Sequence, residues 1–247
     1  MADGKDANVD RIERRKFLLG AGVAGTAALA QAAVPGPAEA QTPATQPASA
    51  VAAPAPVDTY LTLTPTEIAF LSAAADSFIP ADDLSPSGSD AGVVVFIDRQ
   101  LAGSWGAGGR MYRGGPFHKG RPTQGYQLQL TPREFFGAGI AATNAWLKKT
   151  KGRELDRLAP ADRADALKTM EAGKAELEGI NGKQFFEALL TITMEGFFAD
   201  PIYGGNRDKV GWKMVGYPGL PATYAKVFEQ YRGKKYVAEP KSIADFS

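Results

Sequence analysis

The side chains that most often do chemistry are scarce in this chain. Its 247 residues include no cysteine and a single histidine, His118. Thiolate-held iron–sulfur clusters and c-type haem attachment need cysteine, and zinc and most haem sites need His or Cys in number. A Ser-His-Asp catalyst would have to use His118, which sits in a Gly- and Arg-rich stretch without a Gly-x-Ser-x-Gly string. That setting suits a solvated loop histidine. One phosphate-cradling pattern is present, Gly20-Ala21-Gly22-Val23-Ala24-Gly25. It signifies dinucleotide binding only between a strand and a helix of a βαβ unit. Here charged residues precede it and small residues with a proline follow, so it belongs to a leader segment. The sequence thus predicts no catalytic, cofactor-binding or metal residue in this chain.

What remains is the chemistry of contact. Two stretches combine glycines with large aromatics. Gly103 to Gly125 holds Trp105, Tyr112 and Phe117 among Gly106, Gly108, Gly109, Gly114, Gly115 and Gly120, and Asp200 to Leu220 holds Tyr203, Trp212 and Tyr217. Loops this long in a compact domain are functional or disordered, and aromatic content argues against disorder. Such aromatics either fold back on the core or form a binding surface, where Trp, Tyr and Arg carry much of the energy. For the second stretch the expectation is an ordered partner interface built from Asp200, Pro201, Tyr203, Gly204, Gly205, Asn206, Trp212, Tyr217, Pro218 and Gly219. Gly204, Gly205 and Gly219 would supply turns with positive φ, and Pro201 and Pro218 would limit backbone freedom. Burial of Trp212 in the core is the competing reading.

The first forty residues read as a leader. Glu13-Arg14-Arg15-Lys16-Phe17-Leu18-Leu19 pairs two arginines with Phe17 and Leu18, and an uncharged run rich in Ala and Gly extends to Val34. Pro35 follows, then Ala38-Glu39-Ala40, with Ala28-Leu29-Ala30 as a second candidate cleavage site. This is a twin-arginine export signal, the alternative being a retained anchor, for which the run is weakly apolar. Residues 41–60 are rich in Pro, Ala, Thr and Gln, and read as a linker that cannot bury enough surface to order. Residues 61–247 are left as one domain, long enough for a core. The net charge of +1 gives no reason to expect nucleic acid as partner.

The elements that must hold these loops read as helices, so the expected fold class is mainly α, a compact helical domain. Thr64-Pro65-Thr66-Glu67 and Thr131-Pro132-Arg133-Glu134 are capping boxes with proline at the first helical position. The first opens a helix that Pro80 ends. In the second helix Phe135, Ile140 and Trp146 lie along one side. Asp90 is expected to cap a helix with Val93, Ile97 and Leu101 on one face. Pro160 to about Ala172 reads as a polar helix with Leu167 and Met170 inward. Lys183 to Phe198 is the most apolar and therefore central, with Phe186, Leu189, Leu190, Thr193, Met194 and Phe197 along one side. A last helix is expected from Pro221 to about Arg232, with Tyr224, Val227, Phe228 and Tyr231 at helical spacing.

The second stretch also carries a resemblance. It reads Glu195-Gly196-Phe197-Phe198-Ala199-Asp200-Pro201-Ile202-Tyr203-Gly204-Gly205-Asn206-Arg207, then Gly211-Trp212-Lys213 and Gly216-Tyr217-Pro218-Gly219. This resembles the gluconate 2-dehydrogenase subunit 3 family, from the Leu-Thr-Pro-Thr-Glu start near Leu63 onward. The resemblance implies the small subunit of a membrane-associated, FAD-dependent sugar or sugar-acid dehydrogenase complex. A flavoprotein large subunit would oxidise the substrate, and a multihaem cytochrome c subunit, carrying haem c, would pass the electrons on. The small subunit would have no catalytic residue and would carry its partner's export signal through the twin-arginine translocase to the periplasm, at the inner membrane. A cofactor-free periplasmic binding or scaffold protein and an independent flavin oxidoreductase are the competing functions.

Overall fold

The computed structural model describes residues 58–118, 120–121, 128–221, 223, 225 and 227–246, all within one compact unit, Ala55–Ser247. Arg14, Arg15, Phe17 and Leu18 of the expected leader, most of the expected linker, Tyr224 and Gly125 lie outside the described residues.

Both Thr-Pro-x-Glu strings start helices. In α1 (Pro65–Phe78) Thr64 accepts from the Glu67 N–H and the Glu67 carboxylate accepts from the Thr64 N–H; Thr131 and Glu134 do the same for α3 (Pro132–Lys151). Each box satisfies amide groups that a helix start leaves without partners. Between them α2 (Val93–Ala102) begins two residues later than a cap at Asp90 would place it. Its N-cap is Gly92 in the left-handed region (φ 83°), while the Asp90 carboxylate accepts from the Ser87 hydroxyl in the preceding turn. A Cβ on Gly92 would lie 2.4 Å from the Gly204 carbonyl oxygen, so a tertiary approach fixes this start. The β-branched run Val93–Val95 is helical.

Helix α4 (Pro160–Glu171) follows a 3-10 turn, and its Leu167 and Met170 are buried as expected. Helix α5 (Gly182–Phe198), capped by Asn181, packs against α1, α2, α3 and α4 and is the centre of the bundle. Phe186, Leu189, Thr193 and Phe197 face inward as the spacing predicts, whereas Met194 is exposed. The hub is Phe185, whose ring meets Phe70, Phe135 and Phe136 at centroid distances of 6.3, 5.7 and 5.9 Å. Gly139 on α3 admits it, since a Cβ there would sit 2.4 Å from the ring.

Two expectations change after α5. Residues 200–220 are not a loop throughout: Pro201–Tyr203 and Arg207–Lys209 form 3-10 turns and Val210–Val215 forms a short helix, α6. Among the described residues of the helix expected over 221–232, only α7 (Phe228–Tyr231) is helical, with Phe228 exposed. An apolar repeat without a facing core does not hold a helix of its own. Among the described residues there is no β-strand, and only Gly219 and Lys241 form an isolated parallel bridge.

Candidate functional site

Helix α5 ends at Phe198, and the carbonyls of its last turn need partners. The following segment supplies them. Asn206, fully buried, donates from Nδ2 to the Ala199 carbonyl (2.8 Å) and accepts at Oδ1 from the Gly211 N–H (2.8 Å). The Trp212 Nε1–H donates to the Phe198 carbonyl (2.8 Å). One amide and one indole therefore tie α6 to the end of α5.

The glycines allow these contacts. Gly204 takes φ 100°, which L side chains resist, and a Cβ on it would meet Val95 at 2.8 Å. Gly205 does not have the positive φ expected of it; its Cβ would lie 2.1 Å from the Gly196 carbonyl oxygen, so closeness to α5 demands the glycine. Gly219 does turn with positive φ, as expected, and lies against Lys241 and the Trp212 ring.

Asp200 joins this segment to the chain's C-terminal stretch. Its Oδ1 accepts from the Ile202 N–H (3.0 Å) and its Oδ2 from the Ile243 N–H (2.9 Å). Leu220 N–H donates to the Lys241 carbonyl and Lys241 N–H to the Pro218 carbonyl. Lys209 pairs with Asp245 at 2.5 Å, and this pair, with the Ser242 N–H, holds the Asp245 carboxyl below the usual range. Residues 239–246 thus extend the candidate surface, with the turns Pro201–Tyr203 and Ile243–Phe246 in contact.

The expected interface residues therefore separate into frame and face. Trp212 is 6% exposed and Asn206 fully buried, so both belong to the frame; the reading that presents Trp212 to a partner is corrected by its burial and its bond to the α5 terminus. Tyr203 (49% exposed) and Tyr217 (43%) are outward, joined by Ile202, Val215, Ile243 and Phe246, which the sequence reading did not single out. The apolar content of the final residues was the available signal for the last two. In the other Gly-rich stretch Trp105 packs edge-on against Phe136, Tyr112 and Phe117 are exposed, and His118 is exposed too.

Elsewhere, polar groups in the interior are committed to the fold. Asp98, fully buried on α2, accepts from the N–H groups of Leu61 (2.6 Å), Thr62 (3.0 Å) and Leu63 (2.9 Å). Asp58 pairs with Arg207 and Tyr60 packs on the core, both within the stretch read as linker. Arg133 on α3 holds Glu67 through two bonds, at 2.6 and 3.0 Å. Burial pushes the Glu67 carboxyl up, but bonds from Arg133 and Thr64 outweigh it and leave it below the ordinary range. A single carboxylate in an apolar Val-Val-Val-Phe-Ile run was the signal that could have exposed the role of Asp98.

A family model described as gluconate 2-dehydrogenase subunit 3 matches residues 65–219, from the first capped helix to the glycine beside Trp212. Neither the comparison with curated proteins nor that with solved structures returns a match.

Proposed function

The chain belongs to the gluconate 2-dehydrogenase subunit 3 family, and from this premise we propose that it is the non-catalytic small subunit of a flavin-dependent sugar or sugar-acid dehydrogenase complex in the periplasm. Its work is to assist folding, twin-arginine export and stability of the flavoprotein large subunit, which holds the FAD. A multihaem cytochrome c completes the complex and holds it at the inner membrane. The observation that carries the reading is the division of labour after α5. Asn206, Trp212 and the glycines are consumed in fixing the segment, and Ile202, Tyr203 and Tyr217 are left outward on a rigid frame. Aromatics held this way lose little entropy on binding. The interior carboxylates Asp98 and Glu67 are likewise saturated by structural donors, which supports a binding rather than a catalytic role.

Replacement of Arg14 and Arg15 by lysine tests the export role. Both this chain and the large subunit should then remain in the cytoplasm. Arrival of the large subunit in the periplasm would show an independent route and refute the escort function.

A further inference from the structure

The turn Asn206–Lys209 holds both ends of the described domain. On one side Arg207 pairs with Asp58, at the start of a strap, residues 58–63, that crosses α2. On the other side Lys209 pairs with Asp245, four residues beyond Lys241, which bridges to Gly219. The turn itself is unusual. Asn206, Asp208 and Lys209 take φ of 49°, 55° and 58°, a region that costs non-glycine residues free energy unless the surroundings impose it. Here the buried Asn206 bonds and the Arg207 N–H to Ala91 carbonyl bond (3.0 Å) impose it.

The strap is bound with equal dependence on its neighbours. Asp98 is a buried carboxylate whose acceptors are filled by three strap amides, and Arg133 donates to the Thr62 carbonyl (3.1 Å) and hydroxyl (3.2 Å). Lifting the strap would strand a charge in the interior, which is costly. Strap and turn are thus each held by tertiary contacts, and the Asp58–Arg207 pair connects them directly.

We propose that the Asn206–Lys209 turn is a two-ended clasp that couples the strap to the outward surface formed by Pro201–Tyr203 and Ile243–Phe246. The strap is the part of the domain to which the leader is joined in sequence. Resting on the partner-docking reading above, the coupling gives it a regulatory property. A partner that steadies the surface steadies the turn and so tightens the strap, and by linkage a docked strap favours partner binding to the same degree. The strap is then held more firmly in a chain whose C-terminal stretch is in place.

Hydrogen exchange on the full chain, without partner, tests the coupling. Asp245→Asn cuts the C-terminal end of the clasp and should accelerate exchange at the Leu61, Thr62 and Leu63 amides several-fold, leaving the amides of α3 and α4 unchanged. Asp58→Asn cuts the other end and should accelerate exchange at Gly211, whose N–H the Asn206 clamp holds. Unchanged strap amides in Asp245→Asn would overturn the proposal, and so would acceleration shared equally by α3 and α4, which reports general loosening. These readouts need no partner, so they fail or succeed independently of the export experiment.

Discussion

Asn206→Ala isolates the clamp on which the outward surface rests. The substitution removes the donor to Ala199 and the acceptor of the Gly211 N–H, both at 2.8 Å. A buried polar group left without its partner costs about 1–3 kcal/mol. The Gly211 amide is buried, whereas Ala199 is only half-buried and recovers part of its loss from water. Alanine at φ 49° adds roughly 1 kcal/mol, because asparagine tolerates the left-handed region better. The total is about 3–5 kcal/mol. For a domain of this size that lowers Tm by roughly 6–20 °C, at about 2–4 °C per kcal/mol. Asn206→Gly loses the same bonds without the backbone cost, so it should be milder by about 1 kcal/mol. Urea titrations of the full chain followed by far-UV circular dichroism would measure both, with the slope unchanged and the midpoint lowered. A wild-type midpoint for Asn206→Ala, or a glycine variant no milder than the alanine one, would refute this account of the clamp.

Trp212→Ala should cost roughly 3–5 kcal/mol of stability as a buried aromatic, whereas Tyr203→Ala should weaken co-purification with the large subunit and stay within about 0.5 kcal/mol of wild type; equal melting losses would remove the distinction between frame and face. Gly205→Ala should lower Tm by forcing α5 and the turn apart, at a cost of about 1–3 kcal/mol, and an unchanged melting curve would contradict the 2.1 Å approach to the Gly196 carbonyl. Glu67 has a folded-state pKa below its unfolded value, so its contribution is full above the unfolded pKa and is lost as pH falls through the folded one. Glu67→Gln should therefore flatten the acid limb of the stability–pH curve below about pH 5, and identical limbs would show that Arg133 and Thr64 do not hold the carboxylate.

Sequence legibility follows the range of the determining contacts. The two capping boxes are complete within four residues, so Thr64, Glu67, Thr131 and Glu134 announce their helices without reference to the rest of the chain. Helix α2 starts at Gly92 because Gly204, more than a hundred residues later, presses on it, and no local pattern near Asp90 contains that information. Phe185 became the core hub because α5 is buried on a wide face and Gly139 leaves room for a ring; a single-stripe reading of the helix selects its neighbour Phe186 instead. The stretch 221–232 shows the converse error, an apolar repeat with four of its described residues in helix.

The string Asp200-Pro201-Ile202-Tyr203-Gly204-Gly205-Asn206 carries the resemblance read from the sequence and lies within the matched residues 65–219, yet most of it faces inward or braces the backbone. Asp200 bonds Ile202 and Ile243, Gly204 and Gly205 permit approach to α2 and α5, and Asn206 clamps α6. Such geometry tolerates few residue types, which makes the string recognisable. Tyr203 and Ile202 are the outward members, and the turn that theirs contacts, Ile243–Phe246, lies beyond the matched residues 65–219. This string therefore builds the frame of the surface more than its face. Under the proposed subunit role, discrimination among partners is expected to reside in the outward side chains, including those of a C-terminal stretch beyond the matched residues.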